Sequence, residues 1–203
     1  ARLPHEPHGS APVTARTAFH VASCSKPVTA AALLMLLAER RISLDAPFAP
    51  LVEARFAEIA ETWRAPTIRE LLDHTSGMPY GYAEAPVVDT LAEVLAKDAD
   101  SDARGRRVYS NLNTAMARLL IEELSGQSYE TLVTRDVVAG TPDPWRLEFP
   151  DGQETMAYRF GRESAPGVRW PRSFAGEAGP YGWHTTARSL AAFGDRLVRG
   201  DLV

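Results

Sequence analysis

Hydrophobic positions change texture after Gly140. Up to about Val138 they run together or recur at helical spacing, and after Gly140 they alternate with polar residues. The longest apolar run, Ala30 to Ala38, is built from strong helix formers. Apolarity on every side predicts a helix that is buried all round. Pro27 sits where only a first helical turn tolerates it, and the charges of Arg40 and Arg41 suit a C-terminus, so the helix is expected to stop there. Residues 1–17, rich in Pro and polar side chains, read as an extended approach to the short apolar step Phe19, Val21, Ala22.

Thr67 followed three residues later by Glu70 has capping-box spacing and predicts a short helix over Thr67–Leu72, leading into the loop His74–Pro79. A helix is expected from Val87 to Lys97. Another, from Asn113 to Leu124, places Ala115, Leu119, Leu120 and Leu124 on one face and is closed by Gly126. A further helix should start near Ser128. Beyond Gly140, Trp145, Leu147 and Phe149 alternate with Arg146 and Glu148; Pro150-Asp151-Gly152 offers a turn, and Met156, Tyr158 and Phe160 alternate again. This pattern predicts a hairpin. Residues 163–180 read as loop, and helical spacing returns over Thr185–Val198 through Leu190, Phe193 and Leu197. The elements sum to an α+β chain, mainly helical.

Composition narrows the function. With 45% hydrophobic residues in 203, the chain can build a proper core. A net charge of -4 with scattered Lys and Arg offers no basic face for nucleic acid. The run Ala30–Ala38 is far short of the roughly 20 residues that span a bilayer, so no membrane helix is encoded. The first residues lack the signal-peptide pattern, as a processed secreted protein also would. Location therefore stays open: periplasmic or secreted if a leader has been removed, cytoplasmic otherwise. Cys24, the single cysteine, excludes an internal disulfide.

The candidate chemistry begins with Ser23-Cys24-Ser25-Lys26 at the head of the buried helix. A serine hydroxyl is a poor nucleophile until a base is set against it. Residues three apart share a helix face, so the Lys26 amine can reach the Ser23 oxygen, and the positive helix end would favour an oxyanion at the Ser23 N–H. Burial would lower the lysine's proton affinity and let it act as the base. Tyr109-Ser110-Asn111 follows a polar loop with Gly105 and precedes a helix. That setting presents a phenol able to relay a proton and an amide able to bind a substrate carbonyl. A bare Ser-x-x-Lys occurs by chance in many helices, and a buried, satisfied tyrosine is the plain alternative for Tyr109.

Order decides between these readings. Thr17-Ala18-Phe19, Ala22-Ser23-Cys24-Ser25-Lys26-Pro27-Val28-Thr29-Ala30, Leu44-Asp45, Thr67 to Pro79, Tyr109-Ser110-Asn111, Ile121-Glu122, Ser125 to Tyr129, and Gly182 with Thr185-Thr186-Ala187-Arg188 follow one another over about residues 17 to 193. In this the chain resembles the serine beta-lactamases and penicillin-binding D,D-peptidases, within them the class C beta-lactamase-like branch that also contains esterases and D-aminopeptidases. The resemblance implies a beta-lactamase/transpeptidase-like fold and an acyl-enzyme on Ser23, with Lys26 and Tyr109 sharing base and acid roles and Asn111 binding substrate. It implies a small amide or ester substrate (beta-lactam, D-amino-acid peptide or carboxylic ester), with no metal and no organic cofactor. Oligomeric state is not addressed.

The family's third motif, a Lys-Thr-Gly or His-x-Gly triplet on a strand facing the serine, is not found, and part of the antiparallel sheet is missing with it. Residues 1–203 are therefore expected to form a single beta-lactamase-like domain, incomplete at both ends, as a segment of a longer protein rather than a degenerate member. The missing motif keeps two alternatives open: a penicillin-recognising sensor that acylates without turnover, and a non-catalytic binding module.

Other signals carry less. His5-Glu6-Pro7-His8 has no third metal ligand, and Asp98-Ala99-Asp100-Ser101-Asp102 lacks the glycine and glutamate of a calcium loop. His74 and His184 lack the Gly-x-Ser-x-Gly elbow of a Ser-His-Asp enzyme, and His74 is expected to brace its loop. Tyr181 and Trp183 fit core packing as well as a pocket wall. Cys24 points about 100° away from Ser23 on a helix, so only one of them can face Lys26.

Overall fold

The computed structural model describes residues 13–81, 87–100, 102–148, 156–157, 168–169 and 173–202. Its centre is a pair of packed helices, α1 (Ser25–Arg40) and α5 (Asn111–Ser125). Pro27 lies in the first turn of α1, and Arg41 ends the helix in the left-handed region (φ 56°) with its N–H on the Ala38 carbonyl. Val28, Ala31, Ala32, Leu33, Leu36 and Leu37 are buried, but Ala30, Leu34 and Met35 are half-buried and Ala38 is exposed, so the helix is covered on most of its circumference rather than all round. Ser110 caps α5 by accepting from the Leu112 N–H, and Gly126 closes it at φ 66°.

Around this pair lie the short α2 (Ala49–Val52), α3 (Ile68–Leu72), α4 (Val87–Leu95) and α6 (Tyr129–Leu132), the last running into one π turn over Val133–Val137. α4 ends two residues before the expected Lys97 and buries Val87, Leu91 and Leu95, one stripe at four-residue spacing. The capping box of α3 is complete: Thr67 Oγ1 accepts from the Glu70 N–H (3.2 Å), and the Glu70 carboxylate accepts from the Thr67 N–H (2.7 Å). Arg104 adds two bonds to the same carboxylate and ties the 102–105 turn to α3. Thr67→Ala should lower unfolding free energy by about 1 kcal/mol in urea titration.

The strands corrected one expectation. β1 (Ala18–His20) pairs antiparallel with β4 (His184–Thr186), aligning Phe19 with Thr185 and His20 with His184, and Arg146 bridges to His184. β2 (Met156–Ala157) pairs with β3 (Val168–Arg169), and Glu148 bridges to Ser173. The hairpin expected between 145–149 and 156–160 is thus replaced, among the described residues, by pairings with later segments; Phe149, Tyr158 and Phe160 lie outside them. Period-two alternation assigns faces but names no partner. Thr185 and Thr186, expected in a helix, belong to β4. Thr186 then caps α7 (Ala187–Arg199) by accepting from the Ser189 N–H.

Among the described residues the apolar core is one cluster, with Trp63, Trp183, Tyr129 and Phe48 among its largest fully buried side chains. No helix of the described residues is long and apolar enough to cross a membrane. Beside the core, the His20 ring stacks on Phe174 (4.5 Å) and lies 5.0 Å from that of His184. Burial first, then the charge of His184, lowers the His20 pKa from 6.5 to about 4, and burial lowers that of His184. An unfolded histidine takes up its proton near pH 6.5 while the folded one resists until about 4. Stability is therefore complete above that range, falls as pH drops through it and levels off below. Urea midpoints should decline from pH 7 to 4.5, with a shallower slope in His20→Phe.

Candidate active site

Ser23 lies in a tight 3-10 turn, Ala22–Cys24, that joins β1 to α1. Ala22 holds a positive φ of 47°, a conformation L-residues seldom take, so the chain turns abruptly from strand to helix. The Val21 N–H donates to the Trp183 carbonyl (2.9 Å) and the Cys24 N–H to Val21 (3.0 Å), which pins the turn. Ser23 is exposed. Cys24 is exposed too, but it lines an apolar groove with Phe19, Val21 and Leu190 rather than meeting Lys26.

Lys26, half-buried in the first turn of α1, directs Nζ to three oxygens: Ser23 Oγ at 3.1 Å, Asn111 Oδ1 at 2.7 Å and the Pro180 carbonyl at 2.9 Å. The Tyr109 hydroxyl donates to Ser23 Oγ at 2.8 Å, and Nζ sits 4.8 Å from the Tyr109 ring centroid. The four residues singled out from sequence therefore meet at one point.

The geometry around Nζ serves either protonation state. Asn111 Oδ1 and the Pro180 carbonyl can only accept, so each takes one N–H. The remaining direction faces Ser23: an ammonium donates there, and a neutral amine turns its lone pair there and can receive the serine proton. Tyr109 stands on the other side of the same oxygen. Burial pushes the Tyr109 pKa up, but its interactions with Lys26 and Ser23, together with the lysine charge, outweigh this and bring it below 10.0. A phenol so placed gives up its proton more readily than one in water.

Tyr109 is held by its loop. The Gly105 N–H donates to the Thr75 carbonyl (2.8 Å) and the Val108 N–H to that of His74 (2.9 Å). The Ser110 N–H donates to His74 Nδ1 (3.3 Å), its hydroxyl to the Pro79 carbonyl (2.7 Å), and the His74 ring lies 4.8 Å from that of Tyr109. Asn113 Nδ2 also meets His74 Nδ1 (3.1 Å), so the ring nitrogen must be an acceptor and the imidazole neutral. Burial, then the charges of Lys26 and Arg107, lower its pKa accordingly. His74 braces the loop and is not bonded to Ser23.

The Pro180 carbonyl was not visible in the sequence, since every residue carries the same group. A usable signal was Gly179 and Gly182 around it, at φ 116° and 113°. A Cβ on Gly182 would come within 3.0 Å of Phe174 Cβ, and one on Gly179 within 3.0 Å of Arg118 Cβ. Trp183 is fully buried and belongs to the core. Among the described residues no group of three or more side chains could hold a metal. Asp98 accepts from the Thr62 hydroxyl on a distant segment, and Asp100 accepts from the Asp102 N–H within its own turn. His5 and His8 lie outside the described residues.

The family model described as Beta-lactamase matches residues 5–203. The chain belongs to the beta-lactamase family. It is 29% identical over 185 residues to esterase EstB of Burkholderia gladioli, a match that covers 75% of this chain and 47% of the relative. The chain thus spans about half the length of that relative. Among solved structures, a D-stereospecific amidohydrolase from a Streptomyces species superposes with a TM-score of 0.73 at 22% identity, covering 93% of this chain and 63% of the other. A class C beta lactamase from Rhodobacter sphaeroides gives 0.71 at 24%, covering 95% and 54%. At these identities the likeness concerns the fold, and it is the beta-lactamase/transpeptidase-like one, mostly helical with short strand pairs among the described residues.

Proposed function

We propose that the protein is a serine hydrolase that forms an acyl-enzyme on Ser23, acting on a small amide or ester such as a beta-lactam, a D-amino-acid peptide or a carboxylic ester. The carrying observation is that Ser23 Oγ is in hydrogen-bond reach of both Lys26 Nζ (3.1 Å) and Tyr109 Oη (2.8 Å). In the proposed cycle Oγ attacks the substrate carbonyl as its proton passes to one of these groups, and the tetrahedral intermediate collapses with protonation of the leaving group by the same pair. Water then repeats the attack on the acyl-serine. Asn111 keeps its Oδ1 on Lys26, which leaves its amide N–H donors for the substrate carbonyl side. The Ser23 N–H, just ahead of α1, is suited to bear the oxyanion. Membership of the family and the names of its relatives support a serine hydrolase generally, and ester and amide chemistry both appear among them.

Treating the protein with a fluorophosphonate or a reactive beta-lactam should give a mass increase that maps to Ser23. No adduct at any concentration would remove the proposal. A stable adduct without product release would identify a sensor that acylates and stops.

A further inference from the structure

Behind Lys26 runs a buried chain of hydroxyls that the proposed mechanism does not use. The Trp183 indole N–H reaches the Tyr129 hydroxyl at 2.9 Å, that hydroxyl meets Thr29 Oγ1 at 2.7 Å, and Thr29 reaches the Gly179 carbonyl at 2.7 Å. Thr29 is 0% exposed, Tyr129 1% and Trp183 0%. The direction of every bond follows from chemistry. An indole N–H only donates and a carbonyl only accepts, so Trp183 gives to Tyr129, Tyr129 to Thr29, and Thr29 to Gly179. The other acceptor near Thr29, the Ser25 carbonyl, is 3.3 Å away and is the poorer partner for its single proton. Burial raises the Tyr129 pKa to about 12, so its proton stays in place throughout the working range.

The two ends of this chain grip the two ends of one short loop, Gly179 and Trp183. Between them lies Pro180, whose carbonyl accepts from Lys26 Nζ at 2.9 Å. Arg118 holds the preceding stretch through the carbonyls of Ala175 and Ala178, and the Trp183 carbonyl receives the Val21 N–H two residues before Ser23. We infer that Thr29 and Tyr129 are positioning residues: their fixed hydrogen-bond chain clamps the 179–183 loop so that the Pro180 carbonyl sets the direction of the Lys26 amine toward Ser23. Without the clamp, Nζ keeps Asn111 as its remaining fixed acceptor and can swing away from Ser23. For its catalytic consequence the inference rests on the acyl-transfer reading; for its geometry it does not.

The chain has two lysines, Lys26 and Lys97, so lysine-selective ¹³C labelling yields one signal at the site and one internal control. Thr29→Val preserves shape and removes the hydroxyl, Tyr129→Phe breaks the chain one step further back, and Thr29→Ser restores the link. In Thr29→Val and Tyr129→Phe the Lys26 ¹³Cε resonance should move while that of Lys97 stays. Fluorophosphonate labelling of Ser23 should slow by up to about 100-fold, the cost of a misplacement near 1 Å, with a displaced pH profile. Thr29→Ser should return both readings close to wild type. An unmoved Lys26 resonance in Thr29→Val and Tyr129→Phe overturns the clamp, whether or not labelling slows, since slower labelling alone would report general loosening. A moved resonance in a protein whose wild type never labels supports the clamp and removes the acyl-transfer reading instead.

Discussion

Ser23→Ala is expected to yield no covalent adduct and to cut hydrolysis of any ester or amide turned over by up to about 10⁶-fold, the scale seen when a serine enzyme loses its nucleophile. The hydroxyl is exposed and its side-chain bonds run only to Lys26 and Tyr109 among the described residues, so its loss leaves the core intact. Thermal unfolding should therefore stay near that of the wild type, within the roughly 0.5 kcal/mol typical of surface changes. Mass spectrometry after fluorophosphonate treatment, rate assays with activated esters and a melting curve test this together. Full residual labelling in Ser23→Ala would place the nucleophile elsewhere. Cys24→Ser is the matched control, because the neighbouring thiol faces the apolar groove, and it should label as the wild type does.

Lys26→Met is expected to slow Ser23 labelling by about 10² to 10⁴-fold, the range for losing a positioned acid or base. The thioether roughly fills the lysine stem but leaves Asn111 Oδ1 and the Pro180 carbonyl without their donor. Some stability is lost as well, because buried acceptors without partners cost about 1–3 kcal/mol each. Lys26→Arg separates charge from proton transfer. A guanidinium keeps the positive charge but stays protonated and is planar, so it cannot offer a lone pair to Ser23. If Arg restores labelling, Lys26 acts through its field alone and Tyr109 is the base; if Arg is as slow as Met, the amine itself takes part. Tyr109→Phe, assayed beside them over pH, completes the comparison.

Much of the site was legible because part of it is local. Ser23 and Lys26 lie three residues apart across the turn that leads into a helix, which its apolar run and Pro27 announce. The Thr67–Glu70 capping box, Gly126 beyond α5 and Ser128 ahead of α6 likewise appear where their side chains can answer nearby backbone groups. Tyr109 and Asn111 were singled out by their order in the chain, which is weaker information. Their arrival at Ser23 and Lys26 depends on how α5 packs on α1 and on the brace His74 gives to the Ser110 N–H.

Where two segments had to find each other, alternation was insufficient. Trp145-Arg146-Leu147-Glu148 carries a clear strand signature, yet it meets His184 and Ser173 rather than the neighbouring stretch at 156–157. A side-chain pattern states which face is apolar and is silent on which backbone will supply the hydrogen bonds.

The sequence by itself determined the longer helices, several of their caps and the nearness of Ser23 to Lys26, because backbone dihedrals and nearest-neighbour hydrogen bonds act over a few residues. Only the tertiary structure decided that a phenol from the loop before α5, an amide at its first turn and the carbonyl of Pro180 converge on them. Those contacts are made across the packed core, and a peptide carbonyl looks the same at every position until folding gives it a neighbour.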